Sequence, residues 1–377
     1  MAAERNFAVP FTGITNDGTP RKGLFERRAT GADLSSAVDA ARAYLAALDI
    51  DGRAAGNFPM AAPEWRRWTN AFPTWEPHGV LLDDLSPERR KTAVAVIRAC
   101  LSSDGYGRVR TLMKLNAALG ELIDDYRDSL REWMYRFTIF GNPGDGQPWG
   151  WQLVGHHLDV HCVLVGDQMV LTPTFMGAEP VELDDGPYRG LSAFGAEAET
   201  ALELVNSLNA NQRDRVVLFP SMDSDALPAH LQHPTEGRMR GGFGADNLVL
   251  PFEGLSADSF NRSQKSLLLE LIGLYVDVAP QMHADARMRE IAHHLPETHV
   301  SWVGGLGPDD AFYYRIHSPV ILIEFDHHRG VFLANDEPRN FHVHTVVRTP
   351  NGNDYGRDLL RQHYAVNSHG NENHHSH

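Results

Sequence analysis

The stretch GNPGDGQPWG at residues 141–150 divides the chain into two patterns. Clustered glycine and proline interrupt both helix and strand, so such a run marks a change of element. Before it, apolar residues recur at helical spacing. Residues 32–48 read as one helix, and Ser86 with Pro87 forms an N-cap and first-turn proline opening another that ends near Cys100. Residues 107–123 and 126–137 continue in the same style. After the break the period becomes two. Residues 151–164 read as one long strand, Gly166-Asp167 as a hairpin turn and 168–174 as the return strand. Ser192 is expected to cap a helix to Leu208, Ser256 another to about Val278, and a third follows Pro280 as far as His294. Strands return at 298–303, 312–316, 320–325 and 341–348, with Phe332 and Leu333 expected to pair back on them. A last helix runs from Tyr355 to about His363. Helices early and strands late predict an α+β fold: a mainly helical N-terminal half, and a mostly antiparallel β-sheet carrying the histidine motifs.

Three segments fall outside this pattern. Residues 59–77 place Trp65, Trp68 and Trp75 among prolines, as in an ordered aromatic loop. Residues 220–250 are rich in Gly, Pro, His and Asp and read as a long surface loop. The tail SHGNENHHSH is polar and expected to be disordered. The expected organisation is an N-terminal extension over 1–30, a single α+β catalytic domain over 31–366 and a disordered, His-rich tail over 367–377.

Charge and cysteine content narrow the function. The formal charge of −15 disfavours contact with phosphate backbones, so no nucleic-acid partner is expected. No apolar run is long enough to span a membrane. The segment MAAERNFAVPF lacks a basic region followed by an apolar run. With only Cys100 and Cys162, a disulfide framework and a Cys-rich zinc site are both unexpected, and a cytoplasmic location is inferred. A small molecule is the expected partner, and an oligomer is left open.

Histidine is the anomaly: there are 20, more than half of them after residue 290. In FHVHTVVR a strand puts His342, His344, Val346 and Arg348 on one face, the two imidazoles roughly 7 Å apart at the backbone. Both rings can then reach one ion. Glu324 interrupts the apolar run VILIEFD, where a carboxylate needs a cation or donors to offset its burial. If the two strands are neighbours, Glu324 joins His342 and His344 in a two-histidine, one-carboxylate set. A Glu324–Arg348 ion pair is the rival arrangement. In GHHLDVH, strand parity separates His156 from His157, so only one of them can face a given cavity; both are candidate ligands. His293, His294, His327 and His328 abut expected element ends and are read as exposed. No G-x-S-x-G elbow, P-loop, dinucleotide fingerprint or H-E-x-x-H helix occurs.

WGWQLVGHHLDVH, TPTFMGAEP and IEFD…HVHTVVRTPNGNDYGRDLLRQHY together resemble the bacterial and fungal family known as domain of unknown function 3500, over most of residues 65–364. The resemblance rests on Gly155, His156, His157 and Leu158; on Thr172, Pro173, Phe175 and Gly177; and on His342, His344, Arg348, Asp354, Tyr355 and Gly356. After Leu158, where the family more often shows Ser and Asn, this chain has Asp159 and His161. The resemblance implies no activity, but it adds Arg348, Asp354 and Tyr355 as candidates for catalysis beside the metal candidates His156, His157, Glu324, His342 and His344.

Cysteine-free, mixed imidazole and carboxylate ligation suits Fe, Cu or Mn, so a mononuclear non-haem iron or copper oxidoreductase acting on a small organic molecule is the first expectation. A Zn- or Mn-dependent hydrolase or lyase is the second. A non-enzymatic protein binding a small ligand is the third.

Overall fold

The computed structural model describes residues 9–70, 78–144, 146–233, 236–333 and 336–371, without the side chains of 230 and 367–371. Trp75 lies outside the described residues. Among them the helices are α1 (Ser35–Ala47), α2 (Ile50–Gly56), α3 (Pro87–Cys100), α4 (Ser103–Leu122), α5 (Gly195–Asn206), α6 (Ala210–Val216), α7 (Arg262–Val276), α8 (Gln281–His293) and α9 (Arg357–Asn371). The strands are β1 (Asn57–Phe58), β2 (Val80–Leu81), β3 (Tyr135–Gly141), β4 (Trp149–Gly155), β5 (Leu158–Val165), β6 (Gln168–Val170), β7 (Thr174–Ala178), β8 (Val217–Phe219), β9 (Leu255–Ser256), β10 (His299–Gly304), β11 (Phe312–His317), β12 (Leu322–His327) and β13 (Val343–Arg348).

All thirteen strands join one sheet, in the order β1-β3-β4-β5-β7-β13-β12-β11-β10-β8, with β2, β6 and β9 paired on its flanks. The pairing is antiparallel except at β1–β3 and β8–β10. The fold is therefore α+β, as the pattern predicts. Strands far apart in the chain become neighbours where β7 pairs with β13, bringing the TPTFMG segment against HVHTVVR.

The two faces of the sheet differ in chemistry. Paired residues of an antiparallel sheet share a face. One row across the sheet runs Phe137, Leu153, Val160, Thr174, Val347, Ile323, Ile316 and Val300. This apolar face packs on helices: α7 closes over it where the Tyr275 hydroxyl meets the Tyr314 hydroxyl at 2.5 Å. The row one residue over runs Arg136, Val154, Asp159, Phe175, Val346, Glu324, Arg315 and Ser301. Both faces are covered. The second is polar, and irregular chain lies over it: Trp65 and Trp68 against His161, Gly241 over Val346 and Leu322, and Ile14 in a small cluster with Leu250 and Leu322. A sheet face that is buried and yet polar must find a partner for each group it carries.

Several local expectations hold and several change. Ser86 Oγ accepts the Arg89 N–H with Pro87 in the first turn, as predicted. Asn261 and Gln264 form the capping box of α7, whereas Ser256 caps only a short 3₁₀ turn before it. Residues 126–137 do not continue the helices; Tyr135, Phe137 and Ile139 alternate inward on β3, so the break at 141–150 is a hairpin between two strands. The expected strand 151–164 is folded in two by a tight turn at His156 and His157. Residues 220–250 are no surface loop: Arg238, Met239 and Asp246 are buried against the polar face. Residues 9–30 pack on the body of the fold through a bridge between Thr15 and Val249. Phe332 and Leu333 pair with no strand and instead donate their N–H groups to Glu179. α9 extends beyond His363 to Asn371, into the segment expected to be disordered; 372–377 lie outside the described residues. Cys100 and Cys162 are both buried and free. No helix among the described residues is long and apolar enough to cross a membrane.

Candidate metal centre

Three imidazoles meet at one end of the polar face. His344 is the second residue of β13, and His342 lies just before that strand. His157 is the second residue of the turn joining β4 to β5, with φ +61°. Positive φ is uncommon outside glycine, though histidine tolerates it better than most residues. The turn is held by the Gly177 N–H, which donates to the His157 carbonyl at 2.8 Å. The Nε2 atoms of His342 and His344 are 3.0 Å apart, those of His344 and His157 3.1 Å, and those of His342 and His157 3.3 Å. His157, His342 and His344 are 4 %, 0 % and 4 % exposed respectively, so the three residues are buried from bulk solvent.

Gly177, paired with His344 on β7, makes this approach possible. A Cβ on Gly177 would stand 2.9 Å from His344 Cδ2 and 3.3 Å from His157 Cδ2.

The electrostatics of the group fit a cation. Burial lowers the pKa of all three rings well below the usual histidine value, and neighbouring imidazoles lower it further. The rings are therefore neutral, each with a single N–H. In His342 that proton is on Nδ1, because Nδ1 faces the Arg329 carbonyl at 2.8 Å and a carbonyl only accepts. Its Nε2 lone pair then points at the other two rings. Zinc–imidazole bonds of about 2.0–2.1 Å at tetrahedral angles separate the nitrogens by about 3.3–3.4 Å, and narrower angles bring them closer. The observed triangle has this size, and the His157, His342 and His344 set can hold a metal ion.

The residues around the triad set its shape. His156 stacks on His157 with ring centroids 3.8 Å apart, and its Nδ1 meets Asn116 Oδ1 at 2.8 Å. Asn116 donates its amide to the Arg131 carbonyl, which fixes the direction of its oxygen. Burial takes His156 down to about 3. His156 is thus a support for His157 and not a member of the converging set. His328, expected to be exposed, is 1 % exposed and lies flat against His344 at 4.4 Å. Its Nδ1 faces Asp326 Oδ2 at 3.2 Å. Glu179 gathers the N–H groups of Val331, Phe332 and Leu333 and stands 3.6 Å from His342 Nδ1.

Glu324 does not belong to the triad, nor does it pair with Arg348. Its carboxylate accepts the N–H groups of Arg240 and Gly241, the latter at 2.6 Å, and the Tyr313 hydroxyl. Loop N–H groups and the Tyr313 hydroxyl offset its burial, with the Arg315 guanidinium on the neighbouring strand. Asp159 and Glu236 are less well served. Burial holds Asp159 well above the usual carboxylate range, and pushes Glu236 up to about 7.

Arg348, Asp354 and Tyr355 come together, but at the other end of the polar face. Arg348 Nη1 donates to Asp246 Oδ1 at 2.8 Å and to Asp354 Oδ2 at 3.2 Å; its Nε and Nη2 donate to the Gly241 and Gly242 carbonyls. The Tyr355 hydroxyl donates to Asp246 Oδ1 at 3.0 Å and accepts from Trp68 Nε1. Arg66 holds the second Asp246 oxygen at 2.7 Å. His161 sits edge-on to Trp68 and Tyr355 and bonds Gln152 and the Pro173 carbonyl. The three expected catalytic residues are a closed, buried clamp that ties residues 241–246 to the sheet.

The family described as protein of unknown function (DUF3500) matches residues 30–357. The chain belongs to this family. No curated protein and no solved structure matches it. Within this DUF3500 chain the motifs divide their labour. Gly-His-His-Leu makes the turn that presents His157, Thr-Pro-x-Phe-x-Gly leaves room at Gly177, and His-x-His supplies the other two rings. The arginine and Asp-Tyr-Gly form the clamp. Reading the sequence missed Asn116, Glu179, Asp246, Asp326 and His328. Asp246 had a signal, a single acid in the glycine-rich GGFGAD; Asn116 and Glu179 had none, because their partners are distant in the chain, and Asp326 and His328 pair with each other two residues apart.

Proposed function

We propose that this DUF3500 protein is a metal-dependent enzyme acting on a small molecule, with His157, His342 and His344 as the protein ligands of a single divalent ion. One observation carries the proposal: three buried imidazoles aim Nε2 atoms at one point with separations of 3.0–3.3 Å, and the His342 proton is held away on Nδ1. The expectation of iron or copper drew on a carboxylate in the ligand set. With Glu324 elsewhere, the set is three neutral imidazoles, which leaves the full charge of an ion undiminished. Such an ion supplies Lewis acidity toward water or a carbonyl, the role of three-histidine zinc sites. Hydrolase or lyase chemistry is therefore the reading that the ligand set supports best. His342 is oriented by the Arg329 carbonyl and His157 by the His156 ring. Glu236, pushed up to about 7, is suited to hold or release a proton near neutral pH on the same polar face. The oxidoreductase reading keeps one support, that imidazole also suits iron and copper.

Elemental analysis tests both readings, on the full chain and on a chain ending at Val366, which lacks the tail histidines. One zinc per chain in both forms, lost in His344→Ala, is the expected result. One iron or copper would turn the reading to redox chemistry. Metal no higher than in His344→Ala would refute the centre.

A further inference from the structure

A second site lies on the opposite, apolar face of the sheet. A cavity of about 410 Å³, partly open to solvent, lies between the sheet, α7, α8 and the segment 23–30, a size typical of small-molecule sites. Val347 and Ile321 line it from the sheet. They alternate with Arg348, His344 and Leu322, whose side chains lie on the polar face, so this cavity is separate from the metal centre. Phe25, Leu171, Val276 and Val278 continue the apolar wall.

Polar groups gather on the helical side. His283 on α8 lines the cavity and is 7 % exposed, and its imidazole makes no hydrogen bond among the described residues. A buried imidazole without a partner is suited to meet a polar group of a ligand. Arg28 and Arg289 also line the cavity, both at exposed positions and both without an ion-pair partner among the described residues. Of the two lining carboxylates, Glu290 is bound to Arg287, leaving Glu26. Two unpaired guanidiniums beside an apolar chamber contrast with a chain whose formal charge is −15.

We infer that this cavity binds an amphipathic carboxylate, an unbranched or ring-bearing apolar body with one acidic head, with the body against Val347, Ile321 and Val278 and the head at His283, Arg28 and Arg289. The apolar walls supply the area that a hydrocarbon body needs to leave water. The arginines supply charge-assisted donors for the head. The inference stands apart from the metal-centre proposal and shares no residue with it.

Isothermal titration of the full chain tests it, with submicellar decanoate, decanol and butyrate as probes. Decanoate is expected to bind one to one. Binding should weaken roughly tenfold in the double variant Arg28→Gln, Arg289→Gln, as for two solvent-accessible ion pairs. It should be lost in Ala279→Phe, which fills the chamber, and be unchanged in His344→Ala. Decanol and butyrate should both bind more weakly than decanoate. Absence of saturable decanoate binding would overturn the proposal, as would binding indifferent to the arginine pair, decanol binding as tight as decanoate, or loss of binding in His344→Ala. If Ala279→Phe does not fold, the exposed arginine pair decides the matter alone.

Discussion

His344 and Arg348 stand four residues apart on the same face of β13, about 13 Å along the strand, and their surroundings are opposites. Around Arg348 every charge has a counter-charge or carbonyl: Asp246, Asp354, Gly241 and Gly242 take up the guanidinium. Around His344 Nε2 stand two more imidazole nitrogens at 3.0 and 3.1 Å, while the nearby carboxylates of Asp326 and Glu179 face His328 and His342 Nδ1. Both clusters are buried and both are built from motif residues. The difference lies in whether the atoms already satisfy one another. A closed network of charged donors and acceptors explains itself as structure; three imidazole nitrogens converging on one point can hold an ion. Burial alone therefore did not distinguish scaffold from site here. The convergence of the nitrogens did.

The sharpest way to break this contrast is to open the clamp. Asp246→Ala removes the carboxylate shared by Arg66 and Arg348, leaving Arg348 with Asp354 alone, and should destabilise the protein by about 3–5 kcal/mol. Urea unfolding measures the loss, while metal content per folded chain should stay at the native level. Loss of metal at full folding would show that the clusters act as one. The converse change, His344→Ala, should weaken metal affinity by at least ~100-fold, more than removal of a supporting residue does. Its metal-free form should unfold at nearly the native urea concentration; a shift as large as that of Asp246→Ala would make the triad a structural element.

Glu324 discriminates more finely, because it lies between the two ends of the face. Glu324→Gln weakens the acceptor for Arg240 N–H, Gly241 N–H and the Tyr313 hydroxyl, so a loss of about 1–3 kcal/mol is expected. Competition with a chromogenic chelator should find metal affinity unaltered. A drop in affinity would return Glu324 to the ligand set.

The smallest effect is one of pH. Burial lowers His161 from 6.5 to about 3, so the fold favours its neutral form. Below 6.5 the unfolded chain takes up a proton that the folded chain refuses, and stability falls from there toward pH 3. Between pH 7 and 5.5 the native chain should lose about 1 kcal/mol more than His161→Gln. Equal losses in urea titrations at the two values would mean that His161 is not buried neutral beside the clamp.

Two of the triad's three rings were legible because a strand's period of two is local: His342 and His344 must share a face wherever β13 goes. His157 was legible as one of a pair, but its selection over His156 was not. That choice is made by a two-residue turn with positive φ, in a segment whose composition reads as uninterrupted strand. His328 was misread because a residue at a strand's end looks exposed until another segment is seen to cover it. Glu324 was read correctly as a buried acid needing donors, and wrongly as to which; its partners are backbone N–H groups at 240 and 241, more than eighty residues away.

The sequence by itself determined the alternation that makes one face of the sheet apolar and the other polar, the helix starts at Ser86 and Pro87, and the histidines able to converge. These follow from short-range geometry, repeating every two or 3.6 residues. Only the tertiary structure decided that β7 lies beside β13, that the 220–250 segment buries the polar face, and that Arg348 meets Asp246 while three imidazoles meet one another. Those outcomes depend on which distant groups can satisfy a buried charge or lone pair, and backbone atoms of any residue type can do so. A loop N–H carries no signature in the amino-acid sequence, so the partner of a buried carboxylate becomes visible only when the chain has folded over it.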